Sequence, residues 1–146
     1  MKITQSDLEK YRRNTLDLAS KMGLDQEILG DLGKIDLRVI PGNSYPKFYG
    51  HTNMFFDDKA IEVYEQNPSK HFSKPIQEAW NQSGMDHELI GHLYNFLAEE
   101  DGSERGARKT QLEMIKVRAK EDRSWYIAKL ILKPLLRFRD KINKKV

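Results

Sequence analysis

The segment MDHELIGHLYN, residues 85–95, contains two histidines that are five residues apart. The segment is predicted to lie on a helix that continues past it, with an apolar stripe formed by Leu89, Leu93, Phe96 and Leu97. On a regular α-helix, five residues separate two side chains by roughly 140°, so His87 and His92 would point in different directions. A single π-bulge absorbs one residue and brings both onto one face. Gly91 is the position where such a distortion costs least sterically.

Glu88 directly follows the first histidine, and this order has a chemical meaning. Two histidines on one helix face can bind a zinc ion while the adjacent glutamate acts as a general base. The chain contains no cysteine, so any metal must be held by His, Asp or Glu. The segment therefore predicts a Zn²⁺ site with His87 and His92 as ligands and Glu88 as the catalytic residue.

The six residues HELIGH, 87–92, resemble the H-E-x-x-x-H motif of the dipeptidyl peptidase III family, whose motif helix carries the same one-residue insertion. The large two-lobed fold of that family cannot fit into 146 residues, so the likeness concerns the chemistry of the motif. The overall layout resembles minimal gluzincins and ImmA/IrrE-type metallopeptidases, which place a helix and a small sheet before the motif helix. In those proteins a downstream helix supplies a glutamate ligand in an E-x-x-A context.

The likeness points to Glu104 as the third ligand. Residues 104–107 read ERGA, an E-x-x-A pattern that begins twelve residues after His92. The spacer is short, and Arg108 stands where an acidic residue often follows the alanine. The motif nevertheless ranks Glu104 first.

A geometric argument favours Glu113 instead. If the helices predicted at 86–99 and 103–120 form a tight hairpin about residue 101, His92 lies level with residue 110 and Glu88 with residue 114. In that arrangement Glu113 is the better-placed third ligand. Both glutamates therefore remain candidates.

The resemblance implies a zinc-dependent peptidase that acts on peptide or protein substrates. Zinc lowers the pKa of a bound water toward neutrality, and Glu88 would accept the proton of that water. The oxyanion also needs a donor, for which Tyr126, Tyr94 and His71 are candidates. The strand predicted at 47–56 is a candidate for aligning a peptide substrate by edge pairing.

The other patterns predict one α+β, zincin-like domain over residues 1–146. Ser6 to Glu9 has the pattern of a capping box, and the helix after it is expected to end near Met22. Alternating residues predict a small antiparallel sheet with strands at 35–40, 47–56 and 60–65. Further helices are predicted at 25–32, at 76–82, from an N-cap at Ser83 to Asp101-Gly102, at 103–120, and from about 122, with a kink or break at Pro134.

The charge is distributed unevenly along the chain. The net charge is +3, yet residues 129–146 hold seven basic side chains against Asp140 alone. The first 128 residues are therefore acidic overall, which argues against a uniformly basic nucleic-acid binder. The favoured interpretation of residues 129–146 is a solvated face of a terminal helix, and contact with a membrane surface is the alternative.

A second functional hypothesis concerns the same basic segment. A catalytically inactive zincin-like or helical module would recognise a protein or an acidic surface through residues 129–146. The N-terminal residues lack the apolar core of a signal peptide, and no apolar run reaches the length of a membrane span. A cytoplasmic location is therefore expected for either function.

Overall fold

The computed structural model describes residues 2–43, 54–57, 60–66 and 72–144. The described residues form helices around a small sheet, so the predicted α+β class is confirmed. The elements in chain order are α1 (Gln5–Lys21), α2 (Gln26–Leu32), β1 (Asp36–Asn43), β2 (Met54–Asp57), β3 (Ala60–Gln66), α3 (Lys74–Met85), a π-helical segment (Asp86–Tyr94), α4 (Asn95–Leu97), α5 (Glu104–Glu121) and α6 (Arg123–Lys144).

The sheet is mixed, with strand order β1-β3-β2. β2 and β3 are antiparallel, as expected for strands separated by two residues. β3 also pairs with β1, and this pair is parallel, with Asp36 opposite Ala60 and Val39 opposite Val63. The prediction of an antiparallel sheet is therefore wrong for β1 and β3. Alternating apolar residues indicate that a segment is a strand, but they do not show which neighbour it pairs with or in which direction. Residues 47–53 of the predicted second strand lie outside the described residues.

Helix α1 begins earlier than predicted. The capping box is formed by Thr4 and Asp7: the Asp7 N–H donates to Thr4 Oγ1 at 3.1 Å, and the Thr4 N–H donates to Asp7 Oδ2 at 2.9 Å. The box predicted at Ser6 is therefore wrong, although both patterns share the same spacing. The helix ends as predicted, with Met22 as its C-cap and Gly23 at a φ of 82°.

The predicted lead-in helix and the motif helix are one continuous element, because α3 runs directly into the π-helical segment. Ser83, the predicted N-cap, is buried inside this helix and donates its hydroxyl to the Trp80 carbonyl at 3.0 Å. The side chains of Leu89 and Ile90 pack into a core shared with α1, α2 and the sheet. A second apolar cluster joins α3, α5 and α6. The continuous helix therefore packs against the first cluster through its motif segment and against the second through α3.

Helix α6 runs through Pro134 without the predicted break. Proline cannot donate to the carbonyl of Leu130, which would normally end or kink a helix. Leu130 is 60% exposed, so water can satisfy this carbonyl and the loss is small. Among the described residues, no helix has both the length and the apolar content needed to cross a membrane.

Candidate metal centre

The π-helical segment brings His87 and His92 together. Their rings are almost perpendicular, at 88°, with ring centroids 4.8 Å apart. The two Nε2 atoms are separated by only 3.2 Å. The predicted π-type distortion is confirmed, and it extends over Asp86–Tyr94 rather than over a single bulged turn.

Glu104, at the first position of α5, completes a group of three ligand side chains. Its Oε1 lies 2.5 Å from His87 Nε2, and its Oε2 lies 3.5 Å from His92 Nε2. The ligand atoms of all three residues lie within 4.8 Å of one another. This group can hold a metal ion. The histidine side chains are largely buried, whereas that of Glu104 is 67% exposed, which places the group at the protein surface.

The structure separates Glu113 from this group. Glu113 is an exposed residue of α5 and is not among the clustered ligands. The hairpin register that favoured it does not describe His92, whose Nδ1 is 2.8 Å from the Gly102 carbonyl oxygen. Asn95 lies opposite Thr110, with its amide donating to the Thr110 hydroxyl at 3.0 Å. Near the start of α5 the Glu104 carboxylate reaches the histidines, and near its end Arg118 reaches Asp86.

Gly91 of the motif helix packs closely against Ala107 of α5. A Cβ built on Gly91 would lie 2.7 Å from Ala107 Cα and 2.9 Å from its carbonyl oxygen. Gly91 therefore has a steric role in addition to any ease of helix distortion. Because Ala107 lies one turn after Glu104, this contact also sets how far the Glu104 carboxylate can reach toward the histidines.

Replacing Gly91 with alanine is expected to lower the free energy of unfolding by about 1–3 kcal/mol, the usual cost of overpacking a tight contact. Zinc affinity should fall as well, because α5 must move away and take Glu104 with it. Chemical denaturation and zinc titration of the variant would measure the two effects.

Gly30→Ala in α2 is the matched control, since its new Cβ would meet nothing within 4 Å. Because alanine is favoured over glycine inside a helix, this variant should be more stable by about 0.5–1 kcal/mol. Equal stabilities for the Gly91 and Gly30 variants would contradict the steric role of Gly91.

The donor set and its spacing fit a small divalent cation. Two nitrogens bound tetrahedrally at about 2.05 Å lie roughly 3.3 Å apart, close to the distance between the histidine Nε2 atoms. His92 Nδ1 donates to the Gly102 carbonyl at 2.8 Å, which favours the tautomer whose Nε2 carries the lone pair that a metal needs. His87 Nδ1 is buried and has no hydrogen-bond partner among the described residues. Of the two histidines, His92 therefore has a hydrogen bond that holds its ring in orientation.

The local electrostatics favour a neutral His87 and an anionic Glu104. Burial lowers the pKa of His87, with the charge of Arg108 acting in the same direction and the hydrogen bond to Glu104 opposing both. Burial also lowers the pKa of His92, but its hydrogen bonds to Glu104 and Gly102 outweigh this effect and raise it overall. Hydrogen bonds from the two histidines hold the pKa of Glu104 well below its usual range, so Glu104 is a carboxylate.

Glu88 lies between the two histidines in sequence but outside the ligand group. Burial raises the pKa of its carboxyl to about 8, with the charge of Glu104 adding to the effect and the charges of His92 and Arg108 opposing it. A carboxyl with a raised pKa exchanges protons near neutral pH, as general acid–base chemistry requires.

Arg108, the departure from the family pattern, has a structural partner. Its side chain is buried, and its Nε lies 3.1 Å from both carboxylate oxygens of Asp140 in α6. It also donates to Gln111 within α5. An acidic residue at this position would face Asp140, so arginine suits the contact between α5 and α6.

A buried ion pair anchors the residue before the motif, which the sequence patterns did not reveal. Asp86 is fully buried and accepts hydrogen bonds from the Thr15 hydroxyl at 2.7 Å and from Arg118 Nη2 at 2.9 Å. These contacts tie the start of the π-helical segment to α1 and α5. The only sequence signal is a run of polar residues, 81–83 and 86, on a helix that otherwise buries apolar side chains.

The three candidate oxyanion donors are in different situations. Tyr126 lies on α6 and is 53% exposed. Tyr94 is buried, and its hydroxyl accepts a hydrogen bond from the Asp25 N–H at 2.9 Å. His71 lies outside the described residues. Tyr126 is therefore the candidate whose side chain is open to solvent.

No family model, curated protein or solved structure matches the chain. The metal centre is therefore characterised by the motif and by the side-chain geometry of residues 86–108. These features bear on chemistry and do not assign the chain to a family.

Proposed function

We propose that the protein is a zinc-dependent peptidase with a zincin-like, gluzincin-type centre formed by His87, His92 and Glu104. The observation that carries the proposal is the π-helical segment that places two histidine Nε2 atoms 3.2 Å apart. π-Helical turns are rare and occur frequently at functional sites. A metal shared by the two histidines gives a reason for this distortion.

The ligand set supports zinc in a catalytic role. Two imidazoles and one carboxylate are a known catalytic zinc set, and structural zinc sites use four protein ligands. Three protein ligands would leave one position for water, and the exposed Glu104 side chain supports a site that a substrate can reach. When bound, zinc would supply Lewis acidity and lower the pKa of a coordinated water.

We assign the side chains the following roles. His87 and His92 hold the metal from the motif helix, and Glu104 holds it from α5. Glu88 accepts a proton from the attacking water and delivers it to the leaving amine.

The sheet offers a way to align an extended peptide. Among the described strands, β2 lies at one edge of the sheet and pairs with β3. β2 also contacts the π-helical segment, which brings this edge near the metal centre. Edge pairing would give affinity through main-chain hydrogen bonds and would suit peptides or unfolded proteins as substrates.

The proposal predicts hydrolysis of an unfolded protein substrate that stops when zinc is removed. Treatment with 1,10-phenanthroline should abolish cleavage, because Glu88 has no activated water to deprotonate without the metal. Adding stoichiometric zinc should restore it, and cleavage would be followed by mass spectrometry of the products. Cleavage that is unaffected by the chelator would contradict a zinc peptidase.

A further inference from the structure

Helix α6 has an apolar stripe on its outer face. Its inner face is buried against α3 and α5 through Ala128, Leu132 and Leu136. The outer apolar side chains are 39% to 61% exposed: Tyr126, Ile127, Leu130, Ile131 and Phe138. Except for Tyr126, they recur with Pro134 at intervals of one to four residues, which places them along one side of the helix.

The basic side chains of α6 adjoin this stripe. The helix carries seven of them, at positions 123, 129, 133, 137, 139, 141 and 144, against one acidic residue, Asp140. At 100° per residue, positions 133, 137 and 141 lie along one edge of the apolar stripe. Asp140 is paired with Arg108, so the helix presents a net positive surface.

We propose that α6 binds an anionic lipid surface with its axis parallel to the bilayer. A helix of 22 residues is about 33 Å long, and an apolar side with adjoining lysines and arginines is typical of helices that lie in the membrane interface. The same positive charge opposes a contact between two copies of this face. Nucleic acid would find aliphatic side chains at the centre of the stripe, where a nucleic-acid surface requires polar or stacking groups.

This interpretation differs from the one that the sequence favoured. Leu132 and Leu136, within the basic segment, form part of the core. Deleting residues 132–146 would therefore damage the fold and could not test the surface. Point substitutions on the exposed side are needed.

The test is co-sedimentation of the full chain with vesicles of equal parts phosphatidylcholine and phosphatidylserine, compared with vesicles of phosphatidylcholine alone. We expect binding only to the anionic vesicles, with affinity falling as salt is added. Lys133→Glu combined with Arg137→Glu should weaken binding at least about twentyfold, since each basic residue near an anionic surface contributes about fivefold. Arg13→Glu with Lys21→Glu on α1 changes the net charge equally and should bind within a few-fold of wild type.

A second pair of variants tests the apolar stripe. Ile127→Ser with Leu130→Ser keeps the charge, leaves the buried face intact and should also reduce binding to anionic vesicles by tenfold or more. Equal affinity for both vesicle types would overturn the proposal. So would a dimer in sedimentation that the serine variant dissociates, or binding to an oligonucleotide that exceeds vesicle binding and is insensitive to the serine variant. His92→Ala should bind vesicles like wild type, which separates this proposal from the peptidase.

Discussion

Replacing Glu88 with glutamine is expected to reduce peptide hydrolysis by about a hundredfold to ten-thousandfold and to leave zinc affinity nearly unchanged. The amide has the same shape as the carboxyl but cannot accept a proton from water. Glu88 is not one of the three clustered ligands, so the metal stays in place. Glutamine has nearly the same size and shape as glutamate and adds no charge to a buried position, so the fold should tolerate it.

Glu100→Gln provides the control, since Glu100 is an exposed glutamate near the end of the motif helix. Its hydrolysis rate should equal that of the wild type, as should its zinc content. Turnover by Glu88→Gln at the wild-type rate would remove Glu88 as the base. Loss of zinc together with activity would instead place Glu88 among the ligands.

Replacing Glu104 with alanine is expected to lower zinc affinity by more than about a hundredfold. Losing a residue that only hydrogen-bonds to a metal ligand costs up to about a hundredfold, and losing a ligand itself should cost more. The carboxylate contacts both histidines and is the only acidic member of the group. Since the Glu104 side chain is 67% exposed, the folded structure should survive its removal. Competition with a fluorescent zinc chelator would measure the affinity, and circular dichroism would check the fold.

Glu113→Ala is the matched control, because it removes an exposed glutamate from the same helix. The hairpin register favours Glu113 as the third ligand, whereas the observed contacts with the two histidines favour Glu104. A larger loss from Glu113→Ala than from Glu104→Ala would therefore reject the ligand set.

The motif helix shows what a local pattern can predict. A shared metal and a spacing of five residues are compatible only if the helix between His87 and His92 is distorted, so the π-helical segment followed from the sequence. The reason for glycine at position 91 did not follow. It depends on the approach of Ala107 from a helix that comes later in the chain.

Features that depend on the relative placement of distant segments were predicted poorly. The choice between Glu104 and Glu113 depended on how α5 is placed against the motif helix, and the assumed hairpin register did not describe His92. The parallel pairing of β1 and β3 required knowing that β3 lies between β1 and β2. The Asp86–Arg118 pair joins residues 32 positions apart, and no local pattern links them.

Helix α6 shows a third kind of difficulty. It has apolar residues on two sides, so its sequence predicts an amphipathic helix without showing which side is buried. Packing against α3 and α5 selects Leu132 and Leu136 for the core and leaves Leu130 and Ile131 exposed. Tertiary contacts therefore decide which residues are available to a partner.

Zinc titration of the metal-free full chain tests the central claim most directly, because it requires no substrate. We expect one equivalent of zinc to bind to the wild type, and no specific binding to a His87→Ala, His92→Ala double variant that keeps its helical circular dichroism. Binding well below one equivalent, or equal binding by the folded double variant, would contradict a zinc centre formed by His87, His92 and Glu104.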